Sequence, residues 1–591
     1  MMHIGCAQIA RRGNLWAVIA VAAFAYLGLQ LFLIQIVGHR QYSRQADEMQ
    51  DRCWPIEAPR GVIYDRNGNP LALNLKFYSV AADPKLLGKR RAEVAEKLGL
   101  LLRGDRKELL QKLDPPKKTR FVKLQDFVDA PAAETLRRLE WQGLIVNTQW
   151  RRAYPHGELA GSLLGFVGAD RAGLSGIEAA LNGELAGKDG EMLVALDGRR
   201  PRSRSEIPGR TMVTRQMTPG SGAVLTIDLD LQAIAEEELK KAVENARARG
   251  GAAIVMDPET GEILALASQP GFDPNDFGKY PPESWVAHSV VSPYEPGSTF
   301  KAITACAAIE EGVMSHGETY NCTGGRQVGR HTIRCAAHGG SGAHGVLDLD
   351  KMVVKSCNVG MATVAMALGS DRVYEWVKRF GFGEKTGIEL SGESGGIVTR
   401  PDTWAQVQLA NIGFGQGISV TPIQLLSAYC AIANGGYRVR PRVVKAITHA
   451  DGETEYLKAP ERERIISEAT AERMRGILTR VVEEGTGKVA RIEGRLVAGK
   501  TGTAQKPTPE AGFRSGLYIG SFVGFVPADD PRLAVIVVID EPHNGYYGAV
   551  VAAPAFQAIC QRALTQLRIP PSGRSRGAAG VSVAMAKGSD D

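Results

Sequence analysis

The sequence has no strong excess of charge of one sign and none of the patterns that mark nucleic-acid binding. Its formal net charge is +7 over 591 residues, which is modest for a chain of this size. It contains no RNP, zinc-finger or basic-helix pattern, so we expect no nucleic-acid partner. The apolar content of 44% is typical of a folded globular protein, and the length is sufficient for two or three domains.

Charged residues are absent from Gly13 to Gly38, a nearly all-apolar stretch of 26 positions. About 20 such residues are enough to cross a bilayer. Arg11 and Arg12 precede the stretch, and the positive-inside bias predicts that everything after it is exported. A cleaved signal peptide would have a shorter apolar region followed by an A-x-A site, and no such site follows the stretch before His39. The sequence therefore predicts an uncleaved, single-pass anchor in the inner (cytoplasmic) membrane.

A change in composition predicts a domain boundary after the anchor. From Arg199 to Gly222 the chain is basic, contains proline and glycine, and is poor in apolar runs. The module before this segment is rich in turns, whereas the tail after Leu567 is rich in proline, serine, glycine and alanine and is expected to be disordered. The predicted division is a cytoplasmic segment at 1–12, an anchor at 13–38, an elongated module at 39–220, a second domain at 221–567 and a tail at 568–591.

The second domain has strand patterns at both ends and helical patterns between them. A strand, tight turn and strand run from Ala252 to Ala267, and another pair of strands runs from Leu517 to Ile539. Helical stretches lie between them, including Asp350 to Leu368 and Ile423 to Ala433. This order predicts a mixed α+β fold, in which distant segments form an antiparallel sheet flanked by helices.

A Ser-x-x-Lys pattern precedes an uncharged run in this domain. Ser298 and Lys301 stand at the start of it, and a helix beginning at Ser298 would place both side chains on one face. Burial disfavours a charged amine, so Lys301 is expected to lose its proton and to act as base for a serine nucleophile. The motif alone is weak, because such a spacing recurs by chance on solvated helix faces.

Two further motifs follow in the same domain. Ser356-Cys357-Asn358 is predicted to lie in a loop that reaches the Ser298 and Lys301 pair. Lys500-Thr501-Gly502-Thr503 is predicted to form a strand edge, where Gly502 lets a substrate lie close to the backbone. The order S-x-x-K, S-x-N, K-T-G within one domain indicates a serine acyltransferase.

Two other segments imitate functional motifs. Lys385-Thr386-Gly387 repeats K-T-G, but its glycine-rich surroundings indicate a structural loop. Gly494 to Thr501 matches a phosphate-binding loop, and the apolar strand pattern ending at Asp540 would supply the acidic residue of a nucleotide hydrolase. A phosphate loop must open a helix at its Lys-Thr, whereas Gly502 and Pro507 follow here. The nucleotide hydrolase is therefore the weaker hypothesis.

Together these patterns resemble those of a class B penicillin-binding protein, a membrane-anchored peptidoglycan D,D-transpeptidase. The resemblance extends from the anchor to about residue 567 and includes motifs outside the catalytic triplet. These motifs are Arg60-Gly61, Asp65-Arg66-Asn67-Gly68, Arg152-x-Tyr154-Pro155, Gly173-x-x-Gly176-Ile177-Glu178, Thr226-Ile227-Asp228, Gly415-Gln416-Gly417, Thr421-Pro422-x-Gln424, Gly548 and Ala553-Pro554-x-Phe556.

The resemblance implies an N-terminal pedestal of class B type at 39–220 and a C-terminal penicillin-binding fold with a helical subdomain, without a glycosyltransferase domain. The segments around Ser298 and Tyr546 look more like the division branch than the elongation branch. The cysteine inside the second motif is instead similar to that of spore- and elongation-type relatives. Expected partners are peptidoglycan stem peptides, β-lactams, a polytopic glycan polymerase and other divisome proteins.

The resemblance also implies a role for each motif residue. Ser298 would be the nucleophile and Lys301 its base, with Ser356, Asn358 and Lys500 completing the catalytic set. Thr501, Gly502 and Thr503 would bind the substrate, and the backbone N–H groups of Ser298 and Thr503 would form the oxyanion hole. No cofactor and no catalytic metal are expected. A β-lactam sensor or an idle scaffold on the same fold is the alternative, although only twelve residues precede the apolar segment and all three motifs are intact.

The cysteines fall into two groups. The first group is expected to consist of small core residues in apolar helices: Cys306, Cys430 and Cys560. The second group lies between the nucleophile and the third motif: Cys322, Cys335 and Cys357. Three hypotheses remain open for this second group: a disulfide (Cys322–Cys335 or Cys335–Cys357), three free thiols, or a zinc site completed by His338 or His344, whose spacing matches no standard finger.

Overall fold

The computed structural model describes residues 3–40, 51–115, 119, 122–139, 141, 143–196, 206–314, 317–335, 342–507 and 515–571. The predicted disordered tail lies outside these residues apart from 568–571, and His338 lies outside them as well. The chain forms two compact units, each built from separated stretches. The first unit comprises 1–59, 75–151 and 187–219, and the second comprises 60–74, 152–186 and 220–591.

The first unit begins with the apolar helix. An α-helix spans His3–Phe32 and continues as a π-helical turn at Leu33–Val37. Its segment Arg12–Val37 has 26 residues and is long and apolar enough to cross a membrane. At 1.5 Å per residue this segment measures about 39 Å, more than the roughly 30 Å of a bilayer core.

The rest of the first unit contains two sheets. Three antiparallel strands, Asp51–Ile56, Gly190–Leu196 and Glu206–Arg215, form one sheet with Gly190–Leu196 in the middle. In the other, residues 78–82 of the strand Pro70–Ala82 pair with Val122–Val128, and the strand Leu144–Ala153 also joins. Short helices cover this second sheet, at Pro84–Leu87, Arg91–Leu102, Arg106–Leu113 and Ala130–Arg138. Between residues 84 and 140 these helices are thus interrupted by the strand Val122–Val128.

The second unit is organised around a five-stranded antiparallel sheet. The strand order across this sheet is Ile263–Gln269, Gly250–Met256, Leu533–Asp540, Tyr518–Val526 and Ala498–Gln505. Strands from both ends of the unit therefore meet in the sheet, as the sequence predicted. The strand Ala498–Gln505, which carries the third motif, is the last in this order.

Both faces of the five-stranded sheet are buried, because alternate residues of each strand point to opposite faces. Val535 and Val537 face the helices Leu229–Ala246 and Ala553–Gln566, whereas Ile536 and Val538 belong to the larger core on the other side. The larger core holds the central helix Pro422–Ala433, in which every residue is buried. The remaining helices of the helical subdomain are Lys301–Glu310, Leu349–Val354, Asn358–Leu368, Ser370–Arg379, Gln406–Ile412 and Glu468–Glu483.

A smaller sheet in the second unit joins distant parts of the chain. The strand Gly222–Leu225 pairs in parallel with Ile63–Tyr64 and antiparallel with Val444–Thr448, which in turn pairs with Thr454–Tyr456. Ile63–Tyr64 also forms a hairpin with the first residues of the strand that begins at Pro70.

A buried carboxylate joins three motifs of the resemblance within the second unit. Glu178 is fully buried, and its two oxygens accept hydrogen bonds from the Nε atoms of Arg60 at 2.5 Å and Arg152 at 2.6 Å. A buried charge needs such partners, so these two arginines and this glutamate form one buried ion-pair cluster. The mixed α+β fold class, with its single apolar helix, is confirmed.

Candidate active site

Ser298 lies in a short turn that opens the first helix of the site. A 3₁₀ turn spans Gly297–Phe300, and the α-helix Lys301–Glu310 follows it directly. The sequence predicted an α-helix from Ser298. The tighter turn instead lets the N–H of Lys301 donate to the carbonyl of Ser298, three residues back. Behind Lys301, the uncharged run of the helix is buried, as expected.

Buried hydrogen bonds fix the backbone of this turn. The hydroxyl of Tyr429, in the central helix, donates to the carbonyl of Thr299 at 2.7 Å. The hydroxyl of Thr299 donates to the carbonyl of Pro296, also at 2.7 Å. The N–H of Gly297 donates to the carbonyl of Gly415 at 2.9 Å. The position of Ser298 is thus set by several elements and not only by its own helix.

Lys301 is fully buried and reaches the second motif. Its Nζ lies 2.6 Å from Asn358 Oδ1, 3.0 Å from Ser356 Oγ and 2.7 Å from the carbonyl oxygen of Ser356. Burial lowers the pKa of Lys301 from 10.5 to about 7. A substantial fraction of this amine is therefore neutral near neutral pH, in contact with two side chains of the second motif.

The second motif lies between two helices, in agreement with the predicted loop, and the helical stretch predicted from Asp350 to Leu368 is divided there. The helices Leu349–Val354 and Asn358–Leu368 are separated by Ser356, which adopts a left-handed conformation with φ of 56°. The Sγ of Cys357 caps the second helix by accepting from the N–H of Gly360. Asn358 also donates through Nδ2 to the carbonyl of Arg334 at 3.1 Å. This backbone break turns Ser356 and Asn358 towards Lys301.

Lys500 of the third motif is also fully buried. Burial lowers its pKa well below the ordinary value, and the nearby charge of Lys301 lowers it further. The Nζ of Lys500 lies 3.3 Å from Thr501 Oγ1 and 3.4 Å from Thr486 Oγ1. The hydroxyl of Thr501 is itself 3.1 Å from that of Thr486. Thr486 was missed by the sequence analysis, although its turn-like setting between Gly485 and Gly487 was a signal for it.

Two glycines allow the turn Gly297–Phe300, which carries Ser298, to pack closely against the third motif. A Cβ on Gly502 would lie 2.4 Å from Ser521 Oγ and 3.0 Å from the carbonyl oxygen of Pro296. A Cβ on Gly297, whose φ is 56°, would lie 2.9 Å from the carbonyl oxygen of Thr503. The turn and the strand are therefore packed backbone against backbone. Thr503 remains partly exposed, and its hydroxyl accepts from the N–H of Gly548 at 3.1 Å.

Neither of the two imitating segments has the local structure that its motif would need. Thr386 donates its N–H and its hydroxyl to the buried carboxylate of Glu393, as does the N–H of Gly387, so this K-T-G is a structural loop. Lys500 and Thr501 lie inside a β-strand and not at the start of a helix. The phosphate-loop hypothesis is therefore wrong, because a helix N-terminus is what such a loop needs.

The cysteines fall into the two groups that the sequence predicted, one in the core helices and one near the second motif. The three core cysteines are fully buried in helices: Cys306, Cys430 and Cys560. Near the second motif, the Sγ of Cys335 is 3.7 Å from that of Cys322 and 3.6 Å from that of Cys357. All three of these residues carry free thiols, so neither of the two possible disulfides is formed here. His344 joins them, with Nδ1 3.6 Å from Cys322 Sγ.

Two domain families and several known proteins are similar in sequence to this chain. Residues 251–561 match the penicillin binding protein transpeptidase domain, and residues 55–220 match the penicillin-binding protein dimerisation domain. Stage V sporulation protein D of Bacillus subtilis (strain 168) is 33% identical over 96% of this chain and 88% of its own length. Peptidoglycan D,D-transpeptidase FtsI of Escherichia coli (strain K12) is 30% identical over 94% of this chain and 92% of its own.

Solved structures share the same fold. The crystal structure of penicillin binding protein 3 from Mycobacterium tuberculosis, complexed with aztreonam, is 30% identical with a TM-score of 0.68, and the match covers 88% of this chain and 98% of that one. This chain belongs to the class B penicillin-binding proteins. The predicted enzyme class, a serine-type D-Ala-D-Ala transpeptidase, agrees with the matched transpeptidase domain and with the names of these relatives.

Proposed function

We propose that this enzyme cross-links peptidoglycan stem peptides through an acyl-enzyme on Ser298. The hydroxyl of Ser298 attacks the carbonyl between two terminal D-alanines, and Lys301 takes the hydroxyl proton. The C–N bond then breaks, and the D-alanine leaves after its nitrogen receives a proton relayed through Ser356. An amine from a neighbouring stem peptide attacks the acyl carbon, the ester bond to Ser298 Oγ breaks, and a proton from the amine returns to that oxygen, which leaves the cross-link and the free serine. Attack by water would instead give carboxypeptidase activity.

The observation that carries this proposal is the environment of Lys301. A buried amine with a pKa of about 7 is a competent base near neutral pH, whereas an exposed lysine would be almost entirely protonated. Its contacts with Ser356 and Asn358 hold the amine in place and put it next to Ser356, the proposed proton relay.

The third motif provides for substrate binding in this proposal. The backbone N–H groups of Ser298 and Thr503 form the oxyanion hole, in which one donor is worth about 3 kcal/mol of transition-state stabilisation. Thr503, which is partly exposed, holds the terminal carboxylate together with Thr501 and Lys500. Because Gly502 has no side chain, the substrate peptide can lie close to the backbone of this strand. The hydroxyl of Thr501 is mostly buried and already bonded to neighbours, so we assign Thr503 the larger share.

A division role is the preferred biological assignment. This assignment rests on the sequence segments near Ser298 and Tyr546 and on the similarity to a protein named FtsI. A glycan polymerase and divisome proteins are the partners in this role. The second candidate is a spore- or elongation-type role, favoured by the cysteine in the second motif and by the similarity to a sporulation protein. Septal localisation of a fluorescent fusion and filamentation on depletion are expected. Rounded cells, or a phenotype confined to sporulation, would support the second candidate.

The proposal also includes topology and domain boundaries. Residues 13–38 anchor the chain in the inner membrane, 39–220 form the pedestal, and 221–567 form the exported transpeptidase domain. A reporter that works only outside the cytoplasm, fused after residue 45, is expected to be active. Activity of a cytoplasm-dependent reporter at the same site would contradict this orientation.

Labelling with a fluorescent penicillin tests the chemistry. We expect a covalent adduct on Ser298, located by peptide mass mapping, that disappears in Ser298→Ala and persists in the control Ser292→Ala. A labelled Ser298→Ala protein would contradict the site assignment. Reversible penicillin binding without an adduct in the wild type would instead support a non-catalytic scaffold.

A further inference from the structure

Four side chains that the proposed reaction does not use converge beside the second motif. Cys322 ends the strand Tyr320–Cys322, Cys335 directly follows the strand His331–Arg334, and His344 directly precedes the strand Gly345–Leu347. Cys357 comes from the second motif itself. Their sulfur and ring-nitrogen atoms all lie within 4.8 Å of one another. Two small pairs of antiparallel strands and the loop of the second motif are thus needed to bring these four residues together.

The distances between these atoms fit the edges of a metal-centred tetrahedron. Zinc bonds of about 2.3 Å to sulfur and about 2.05 Å to nitrogen place two sulfurs about 3.8 Å apart, and a sulfur and a nitrogen about 3.6 Å apart. The two sulfur–sulfur distances are 3.7 Å and 3.6 Å, and the distance from Cys322 Sγ to His344 Nδ1 is 3.6 Å. A disulfide would need about 2.05 Å. These three of the six edges therefore fit shared coordination, the other three are at most 4.8 Å, and none of the separations between sulfur atoms given above is that of a sulfur–sulfur bond.

The surroundings of the sulfurs are those of metal-bound thiolates. The N–H of Val359 points at Cys335 Sγ at 3.4 Å, and the N–H of Gly360 points at Cys357 Sγ at 3.2 Å. Hydrogen bonds of this kind orient ligands and stabilise the negative charge on sulfur. The three cysteines are buried, so the donors are shielded from solvent. Three sulfurs and one imidazole nitrogen are the soft donor set that zinc prefers.

We infer that Cys322, Cys335, His344 and Cys357 bind one structural zinc ion. With four protein ligands the site is closed, so the metal takes no part in the acyl transfer. Each thiol that coordinates zinc releases its proton. The spacing of these ligands matches no standard finger, because they come from two pairs of strands and a helix start.

The zinc ion would hold the second motif in position. Cys357 stands between Ser356 and Asn358, whose oxygens contact Lys301 Nζ. Linking Cys357 to the two pairs of strands fixes the loop in which Ser356 has its left-handed backbone. The four ligands are therefore positioning residues for the proposed base, and this effect rests on the proposed function. The metal site itself does not rest on it.

Metal analysis of the full-length protein in detergent tests the site without an activity assay. We expect about one zinc per chain, and, after exchange with cobalt(II), the intense visible absorption of a tetrahedral thiolate complex. Cys335→Ser and His344→Gln should each lose most of the metal, whereas the control Cys560→Ala, which changes a cysteine in another helix, should retain it. Should Cys335→Ser fail to fold, the cobalt spectrum of the wild type and His344→Gln still decide the question.

Two results would overturn the inference. One is a metal-free wild-type protein, grown with zinc present, in which all three thiols can be alkylated. The other is a metal-free protein in which mass mapping finds a disulfide among the three cysteines. If zinc is present, its removal by a chelator should slow penicillin acylation at least tenfold, and added zinc should restore it. A bound zinc whose removal leaves acylation unchanged would overturn the positioning role alone.

Discussion

The Nζ of Lys301 lies 2.6 Å from Oδ1 of Asn358, which joins the first motif to the second through a buried hydrogen bond. Both motifs therefore respond to any change in the protonation of this amine. The same amine contacts the hydroxyl of Ser356 at 3.0 Å, so the proposed base and the proposed proton relay are direct neighbours.

The rate of penicillin acylation should rise with pH and level off above about pH 7. Burial lowers the pKa of Lys301 to about 7, so the amine is mostly neutral above this pH and mostly protonated below it. The rate should fall about tenfold for each pH unit below 7, because only the neutral amine accepts the proton of Ser298. Stopped-flow measurements of acylation between pH 5 and 9 check this. A flat profile would mean that Lys301 is not the base.

Asn358→Asp should move this pH profile upwards. The change puts a carboxylate where the amide oxygen now lies 2.6 Å from Nζ, and a nearby negative charge favours the protonated amine. We expect the midpoint to rise by about one to two pH units. Asn358→Ala is the matched variant: it removes the contact with Lys301 and the bond to Arg334 without adding charge, so it should slow acylation without this upward shift. Equal midpoints in the two variants would contradict the coupling.

Gly502→Ala should impair acylation severely. The added Cβ would come within 3.0 Å of the carbonyl oxygen of Pro296, so the turn carrying Ser298 has to move. A displacement of even about 1 Å costs on the order of a hundredfold in rate. Gly476→Ala, where nothing lies within 4 Å of the new Cβ, is the control and should acylate at the wild-type rate. Normal acylation in Gly502→Ala would show that the turn and strand tolerate separation.

Glu178→Gln should destabilise the second unit by about 3–5 kcal/mol, the cost of breaking a buried ion pair. The neutral amide leaves the guanidinium groups of Arg60 and Arg152 without their shared counter-charge. Thermal unfolding of the full-length protein in detergent measures this loss. Glu237→Gln, at an exposed pair with Lys241, is the control and should leave the unfolding temperature unchanged. Equal unfolding temperatures for the two variants would mean that the buried pair adds nothing to stability.

Local patterns in the sequence were enough to predict the strands of the central sheet and the neighbourhood of Ser298 and Lys301. A continuous apolar run of seven residues marks the strand Leu533–Asp540, and a three-residue spacing places Ser298 and Lys301 on consecutive turns. These features depend on neighbours in the chain, so they can be read without the fold.

Features that depend on distant contacts were missed. The loop at Ser356 was expected, but its left-handed backbone was not, because the spacing of the motif does not specify a backbone conformation. Thr486, which follows the helix Glu468–Glu483, and Tyr429, in the central helix, join the site only through tertiary packing. The placement of His344 beside the cysteines was one of the open hypotheses, and it depends on the pairing of Tyr320–Cys322 with Gly345–Leu347.

The smaller sheet of the second unit also constrains the order in which the chain folds. Its strand Gly222–Leu225 needs Ile63–Tyr64 on one side and Val444–Thr448 on the other, and the nearby contact from Thr226 to Arg442 spans 216 residues. Closing loops of this length is slow, so the local hairpin at residues 63–72 can form early, whereas its pairing with Gly222–Leu225 and the addition of Val444–Thr448 must wait for those later segments. A shortened chain that begins at residue 221 would lack one of these strands and would expose an edge prone to aggregation.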